Sequence, residues 1–261
     1  MEQLYPERRQ IADPFIIYDD LELPPSAAGR PFVALNMVST VDGKITLDRS
    51  ERAQPLGSPV DRELMKRLRV HFDAVLRGAK TVRANPYFPG VSEDGERRRQ
   101  AEGRDRQPLG VVASGSLELP FDSPYFKSGA APPVILTTES APARRRAEAE
   151  RWARVEVVGK ERIDPHRALQ TLYEKYGVRR LLLEGGAALN FWFAQEGLID
   201  VYFWTLAPKI SGFSQDLTMI EGPRLIRPVP RLRLETLHHH EGELYFRWAS
   251  LPDRPPSPAG G

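Results

Sequence analysis

Cysteine is absent from all 261 residues. Its absence excludes a disulfide framework, thiolate catalysis, iron–sulfur ligation and the common structural zinc sites. Long hydrophobic runs are lacking too: none approaches the roughly 18 apolar residues that cross a bilayer. The polar start, Met1-Glu-Gln-Leu-Tyr-Pro-Glu-Arg-Arg, has no apolar core of the secretory-signal kind. Nor is there an excess of one charge sign. With 37 Lys+Arg against 35 Asp+Glu the formal net charge is +2, and the two signs interleave, which disfavours a dedicated nucleic-acid or membrane-surface binder. The expectation is a cytoplasmic protein with neither nucleic-acid nor membrane partners. What is present is a globular composition, 41% hydrophobic and 28% charged, on a chain long enough for a sizeable core.

Three stretches read as peripheral. Residues 1–30 mix charges with Pro24-Pro25 and form an N-terminal extension; 251–261, rich in Pro, Gly and Ser, reads as a disordered tail. Residues 92–107 carry five acids and five bases with no apolar period and read as a solvated loop. Residues 31–250 remain as one domain. Within it, short apolar runs at 32–38, 74–78, 110–114, 134–138, 155–158 and 180–183 suit buried parallel strands. Helical patterns alternate with them. Ser58-Pro59-Val60-Asp61 reads as a helix start, with Val60, Leu64 and Leu68 repeating at spacing four. Asp164-Pro165 opens a second helix that Gly177 stops, and a third covers 187–196. Runs at 201–207, 231–237 and 243–249, joined only by loops, read as an antiparallel edge. The fold class is therefore α/β, a mixed, mostly parallel sheet with helices on both faces.

Ligands in such sheets sit beyond the carboxyl ends of the strands. Four strand-end turns there are rich in small or polar residues: Ser39-Thr40-Val41-Asp42-Gly43-Lys44, Gly78-Ala79-Lys80-Thr81, Ser114-Gly115-Ser116 and Glu184-Gly185-Gly186-Ala187-Ala188. Any one is ordinary turn chemistry; four together point to a nucleotide, although none is a G-x-G-x-x-G or P-loop motif. His238-His239-His240-Glu241 contains the first half of a zinc-deaminase signature, but its cysteine half is impossible here. Successive strand side chains also point to opposite faces, so no metal is expected and the run reads as a polar turn. Arg69 is either a phosphate ligand or a surface arginine near a helix C-terminus, and Glu184 either orients a substrate or caps the next helix.

Together these residues resemble the pyrimidine reductase of riboflavin biosynthesis, the reductase domain of the bifunctional deaminase–reductase. The resemblance runs from about Pro31 to Ala249. It rests on Asn36-Met-Val-Ser-Thr-Val-Asp-Gly-Lys44, Leu68-Arg69, the stretch 73–86, Val111-Val-Ala-Ser114, Glu184-Gly-Gly-Ala-Ala-Leu189, and Gly197-Leu-Ile-Asp200 through Ala207-Pro-Lys-Ile-Ser-Gly212. It implies a dihydrofolate-reductase-like fold, a homodimer, and NADPH-dependent reduction of the ribosyl group of 5-amino-6-(5-phosphoribosylamino)uracil to ribityl. It places Val38, Ser39, Thr40, Gly78, Thr81 and Asn85 at the cofactor, Ser114 near its 2′-phosphate, and Gly185, Gly186, Ala187, Ala188, Leu189 and Asn190 on its pyrophosphate side. Arg69 would bind the substrate phosphate, Glu184 would contact the substrate, and Lys44, then Asp42, is the candidate proton donor. Ala53-Gln54-Pro55 departs from the Ser-x-Trp of many members, so Ala53 marks a changed substrate wall, and Ala84-Asn85-Pro86 replaces Asp-Asn-Pro or Asp-Asp-Pro. Those departures leave room for another pyrimidine, a pterin or an unrelated substrate, or for a non-catalytic NADP-binding module. With no cysteine, any deaminase would be a separate protein.

Overall fold

The computed structural model describes residues 1–27, 29–48, 55–128 and 131–252. Ala53 and all of the expected tail beyond Pro252 lie outside the described residues. In chain order the elements are β1 (Glu2–Tyr5), β2 (Arg9–Gln10), a 3-10 turn (Pro14–Tyr18), β3 (Phe32–Thr40), α1 (Pro59–Arg69), β4 (Ala74–Gly78), α2 (Ala79–Ala84), α3 (Glu93–Ala101), β5 (Leu109–Ala113), α4 (Pro124–Lys127), β6 (Val134–Thr137), α5 (Ala143–Ala149), β7 (Arg154–Val157), α6 (Pro165–Tyr176), β8 (Arg180–Leu183), α7 (Ala187–Gln195), β9 (Val201–Ala207), β10 (Leu232–His240) and β11 (Glu243–Ser250).

Local chemistry accounts for the two main helices. Ser58 Oγ accepts from the Asp61 N–H at 3.2 Å, Pro59 occupies the first position of α1, and Lys66, Arg67 and Arg69 complement the dipole in its last turn. Asp164 caps α6 by accepting from the N–H groups of His166 and Arg167, and Gly177 ends it at φ +68°, a left-handed conformation that costs glycine nothing.

All the strands join one sheet in the order β2-β1-β10-β11-β9-β3-β8-β4-β5-β6-β7. Pairing is parallel from β9 through β3, β8, β4, β5 and β6 to β7, and antiparallel from β9 outward through β11, β10, β1 and β2. The period-two alternation of the strands splits the core. Val33, Leu35, Leu76 and Leu183 pack with Leu169 and Leu172 of α6 and Phe193 of α7; Ala34, Val75, Leu182 and Phe203 pack on the opposite face with Leu64 and Leu68 of α1. Each fully buried leucine contributes roughly 1.5–3 kcal/mol. The late aromatics divide in the same way. Phe203 and Tyr245 are core, while Trp204, Phe246 and Trp248 form a stacked row with centroids 5.4 and 5.8 Å apart.

Three expectations are corrected. The N-terminal extension supplies β1 and β2, and β1 pairs with β10, so the extension covers that strand's edge. Residues 92–107 contain α3, capped by Ser92, with three acids in its first turn and Arg98 and Arg99 in its last. Capping and charge order replace the missing apolar stripe, and Arg99 is buried, donating from Nη1 to Val70 O at 3.1 Å. His238, His239 and His240 belong to strand β10, and the turn that follows is Glu241-Gly242.

Candidate active site

The carboxyl ends of β4 and β8 meet backbone to backbone. The Gly78 N–H donates to Gly185 O at 2.7 Å, and a Cβ on Gly78 would stand 3.3 Å from the Gly186 nitrogen. Gly185 has φ +78°, and a Cβ there would press on Met37 Sδ at 3.2 Å; one on Gly186 would meet Thr81 Oγ1 at 3.3 Å. The Gly185–Gly186 peptide is cis. Gly78, Thr81, Gly185 and Gly186, expected to act together, are thus brought together. Gly186 starts α7 without a side-chain cap, so the first-turn N–H groups of α7 are available to an anion such as a pyrophosphate. A side chain at any of these glycines would press on the neighbouring turn, on Met37 or on Thr81; bare backbone with free helix N–H groups is the lining that a dinucleotide pyrophosphate would fit.

Other expected cofactor residues fare differently. Ala188 is exposed, Leu189 half-buried and Ala187 buried in the first turn of α7. Asn190 is fully buried; its Nδ2 donates to Met219 O at 2.8 Å, anchoring the segment after β9, while its Oδ1 has no hydrogen-bond partner among the described residues. Asn85 closes α2 through its N–H to Thr81 O at 2.9 Å. Ser114 is buried, and its Oγ accepts from the Leu117 N–H at 3.0 Å, bracing the 114–117 turn. Val38 is half-buried. Ser39 and Thr40 are both buried, with Ser39 Oγ accepting from Trp204 Nε1 at 2.8 Å and Thr40 Oγ1 donating to Asp42 Oδ1 at 2.6 Å. Their hydroxyls serve the fold.

Beyond β3, Asp42 and Lys44 clasp the segment that follows β9. Asp42 accepts from Thr40 Oγ1, from the Ser211 N–H at 3.1 Å and from the Gly212 N–H at 2.8 Å. These bonds, the Thr40 hydroxyl first, hold its carboxyl at about 2, so it is an ionised acceptor at neutral pH and has no proton to give. Lys44 Nζ donates to Asp216 O at 2.8 Å and Ser214 O at 3.3 Å. Among the described residues, two of its three N–H donors are engaged.

Arg69 and Glu184 were expected to reach a substrate separately, but they are joined to each other. Arg69 Nε and Nη2 donate to Glu184 Oε1 and Oε2 at 2.7 and 2.9 Å. Arg77, from β4, donates to Glu184 Oε2 from Nη2 at 2.6 Å and from Nε at 2.9 Å. The arginines are each 5% exposed and the glutamate 8%. Burial pushes the Glu184 carboxyl up, but the charges and hydrogen bonds of Arg69 and Arg77 outweigh it and leave it at about 2. Burial, with the Arg77 charge, lowers the Arg69 pKa against the pull of Glu184, yet a guanidinium stays charged at any working pH. The cluster carries a net charge of +1, with Gly90 O and Tyr87 O taking a further N–H from Arg69 and Arg77.

A family model described as the RibD C-terminal domain matches residues 31–244. The chain belongs to this family. It is 31% identical over 225 residues to the 2,5-diamino-6-ribosylamino-4(3H)-pyrimidinone 5′-phosphate reductase of Aquifex aeolicus, covering 84% of this chain and 96% of that protein. With the Methanothermobacter thermautotrophicus protein of the same name it shares 34% identity over 208 residues, 79% of this chain and 91% of that one. A pyrimidine reductase-like protein of Corynebacterium diphtheriae superposes with a TM-score of 0.74 at 21% identity, over 85% of this chain and 93% of that one. The RibD reductase-domain fold, dihydrofolate-reductase-like, is therefore the fold of this chain.

Two buried or partly buried charges near the Glu184 cluster carried weak signals in the sequence. Arg77 stands inside the apolar run Ala74-Val-Leu-Arg-Gly78; a charge in an otherwise buried strand was the signal. Asp61 read as an ordinary first-turn acid, yet burial first of all raises its carboxyl to about 6.

Proposed function

We propose that this chain is a reductase that converts the ribosyl group of a phosphoribosylamino-pyrimidine to ribityl, with NADPH as reductant and the 2,5-diamino-pyrimidinone as substrate in place of the deaminated uracil. The observation that carries the reading is the match, over more than nine-tenths of their length, to two reductases named for the diamino compound. The reaction adds a hydride to C1′ of the ring-opened sugar imine and a proton to its nitrogen. The hydride is the chemistry a reduced nicotinamide supplies when bound.

The chain's own residues do the rest. Gly78, Thr81, Gly185 and Gly186 cradle the dinucleotide, with the first turn of α7 on its pyrophosphate. The Arg69–Glu184–Arg77 cluster acts as one unit whose excess positive charge favours the substrate 5′-phosphate. Lys44 gives the proton, and ionised Asp42 keeps the 211–212 backbone in place beside it. The chain works as a homodimer; light scattering at micromolar concentration checks the assembly.

The deciding experiment follows NADPH oxidation by absorbance with the diamino and the uracil 5′-phosphates, and NADH in parallel. Turnover of the diamino compound with NADPH supports the reading. Turnover of neither compound with either donor refutes it.

A further inference from the structure

Asp61, in the first turn of α1, has no role in the chemistry above. It is half-buried, and the 55–58 loop lies against it so closely that a Cβ on Gly57 would stand 2.0 Å from its Oδ2. Its neighbour Glu243 is satisfied, accepting from the Ser58 N–H at 2.7 Å, from Ser58 Oγ at 2.6 Å and from the Tyr245 hydroxyl. Asp61 has the Thr205 hydroxyl beside it, but among the described residues no cation lies within ion-pair distance of its carboxyl; Arg62 turns its Nη1 to Gly57 O at 3.1 Å. A helix N-terminus lowers the pKa of a solvated first-turn acid. Here desolvation prevails and raises it to about 6. A desolvated acceptor without a cation is costly to keep, and it is the kind of group that a ligand with paired donors satisfies.

It stands on the α1 face of the sheet, at the carboxyl ends of the strands. Thr205 is in register with Val38 of β3. Strand alternation puts both, with Asn36, Arg77 and Glu184, on the α1 face at the carboxyl ends of the strands. Asp61 and Arg69 are eight residues apart, about 12 Å along α1. The helix thus sets an acid at one end and the cation cluster at the other, a polarity suited to a ligand with a donor-rich ring at one end and a phosphate at the other.

We infer that Asp61 is the specificity residue that reads the 2-amino, N3–H edge of the diamino-pyrimidinone, an inference that rests on the reductase reading above. That edge offers two parallel N–H donors to the two carboxylate oxygens. In the uracil the 2-amino group becomes a carbonyl whose lone pairs face the carboxylate, so one bond is lost and a repulsion gained. Sites built to bond a donor discriminate strongly against the analogue that lacks it.

The test measures kcat/KM for both 5′-phosphates between pH 5 and 8, in wild type, Asp61→Asn and Thr205→Val. Wild type is expected to favour the diamino compound by about 100-fold or more, with that kcat/KM falling below pH 6 as Asp61 protonates. Asp61→Asn brings the preference to within a few-fold, chiefly through KM for the diamino compound, and removes the fall. Thr205→Val keeps the preference and moves the fall to higher pH, because the hydroxyl favours the charged form. The other groups facing Asp61, namely Arg62 on α1, Glu243 and Tyr245 on β11 and Tyr18 in the 3-10 turn, are unchanged in these variants. An equal preference in wild type and Asp61→Asn, or a wild-type preference for the uracil, overturns the inference and leaves the reductase standing. Wild-type turnover of neither compound refutes the reductase and the inference with it.

Discussion

Replacing Glu184 by glutamine keeps the size of the side chain and removes the negative charge between two buried guanidiniums. Wild type holds four N–H donors of Arg69 and Arg77 on this carboxylate at 2.6–2.9 Å. The variant leaves two positive charges facing a neutral amide that itself brings unwanted N–H groups. Removing one partner from a buried ion pair costs about 3–5 kcal/mol. The depression of the Glu184 carboxyl from 4.5 to about 2 corresponds to about 3 kcal/mol by linkage, in the same range. For a chain of this size each kcal/mol moves the melting temperature by about 2–4 °C, so a loss of roughly 6–20 °C is expected by circular dichroism. The carboxyl titrates lower in the folded state, so its contribution is present above pH 4.5 and is lost as pH falls towards 2. The gap between wild type and variant closes across that window. Arg77→Met should cost less, since Arg69 and Glu184 remain as a neutral pair. Glu184→Gln melting within about 2 °C of wild type at pH 7 would refute the reasoning, since a hydrated cluster would tolerate the amide.

Further outcomes can be measured separately. Gly78→Ala puts a Cβ 3.3 Å from the Gly186 nitrogen and should raise KM for the dinucleotide several-fold with less effect on KM for the pyrimidine; equal effects on both would count against the cradle. Lys44→Ala should lower kcat far more than dinucleotide affinity, as read by single-turnover kinetics and fluorescence titration. Asp42→Ala frees the Ser211 and Gly212 N–H groups, and limited proteolysis should cut the 209–218 segment faster than in wild type while the melting temperature changes little. Burial, then the Arg9 charge, holds His238 at about 4. The unfolded chain therefore binds the extra proton first, and stability is lost as pH falls from about 6.5 to 4; His238→Gln should flatten the urea midpoint in that interval.

The parts of this molecule legible in the sequence are those governed by near neighbours. Ser58-Pro59 and Asp164-Pro165 declare α1 and α6 because caps and fixed φ act within one turn, and apolar runs with glycine-rich ends mark the parallel strands and the cradle turns. What escaped was set by distance along the chain or by competition for one group. Helix α3 has no apolar stripe because its stability comes from Ser92 and the order of its charges. Ser39, Thr40 and Asn190 have the chemistry of ligand contacts, but tertiary packing bonded the two hydroxyls to Trp204 and Asp42 and the Asn190 amide N–H to Met219. By itself the sequence determined the parallel strands, the helices α1, α6 and α7, and the strand ends where glycines gather. Only the tertiary structure decided that Glu184 would lie between Arg69 and Arg77, 115 and 107 residues away, and that Asp61 would be desolvated against Gly57 and Thr205. Charge pairing and desolvation depend on which strands become neighbours, and that order is a property of the whole sheet.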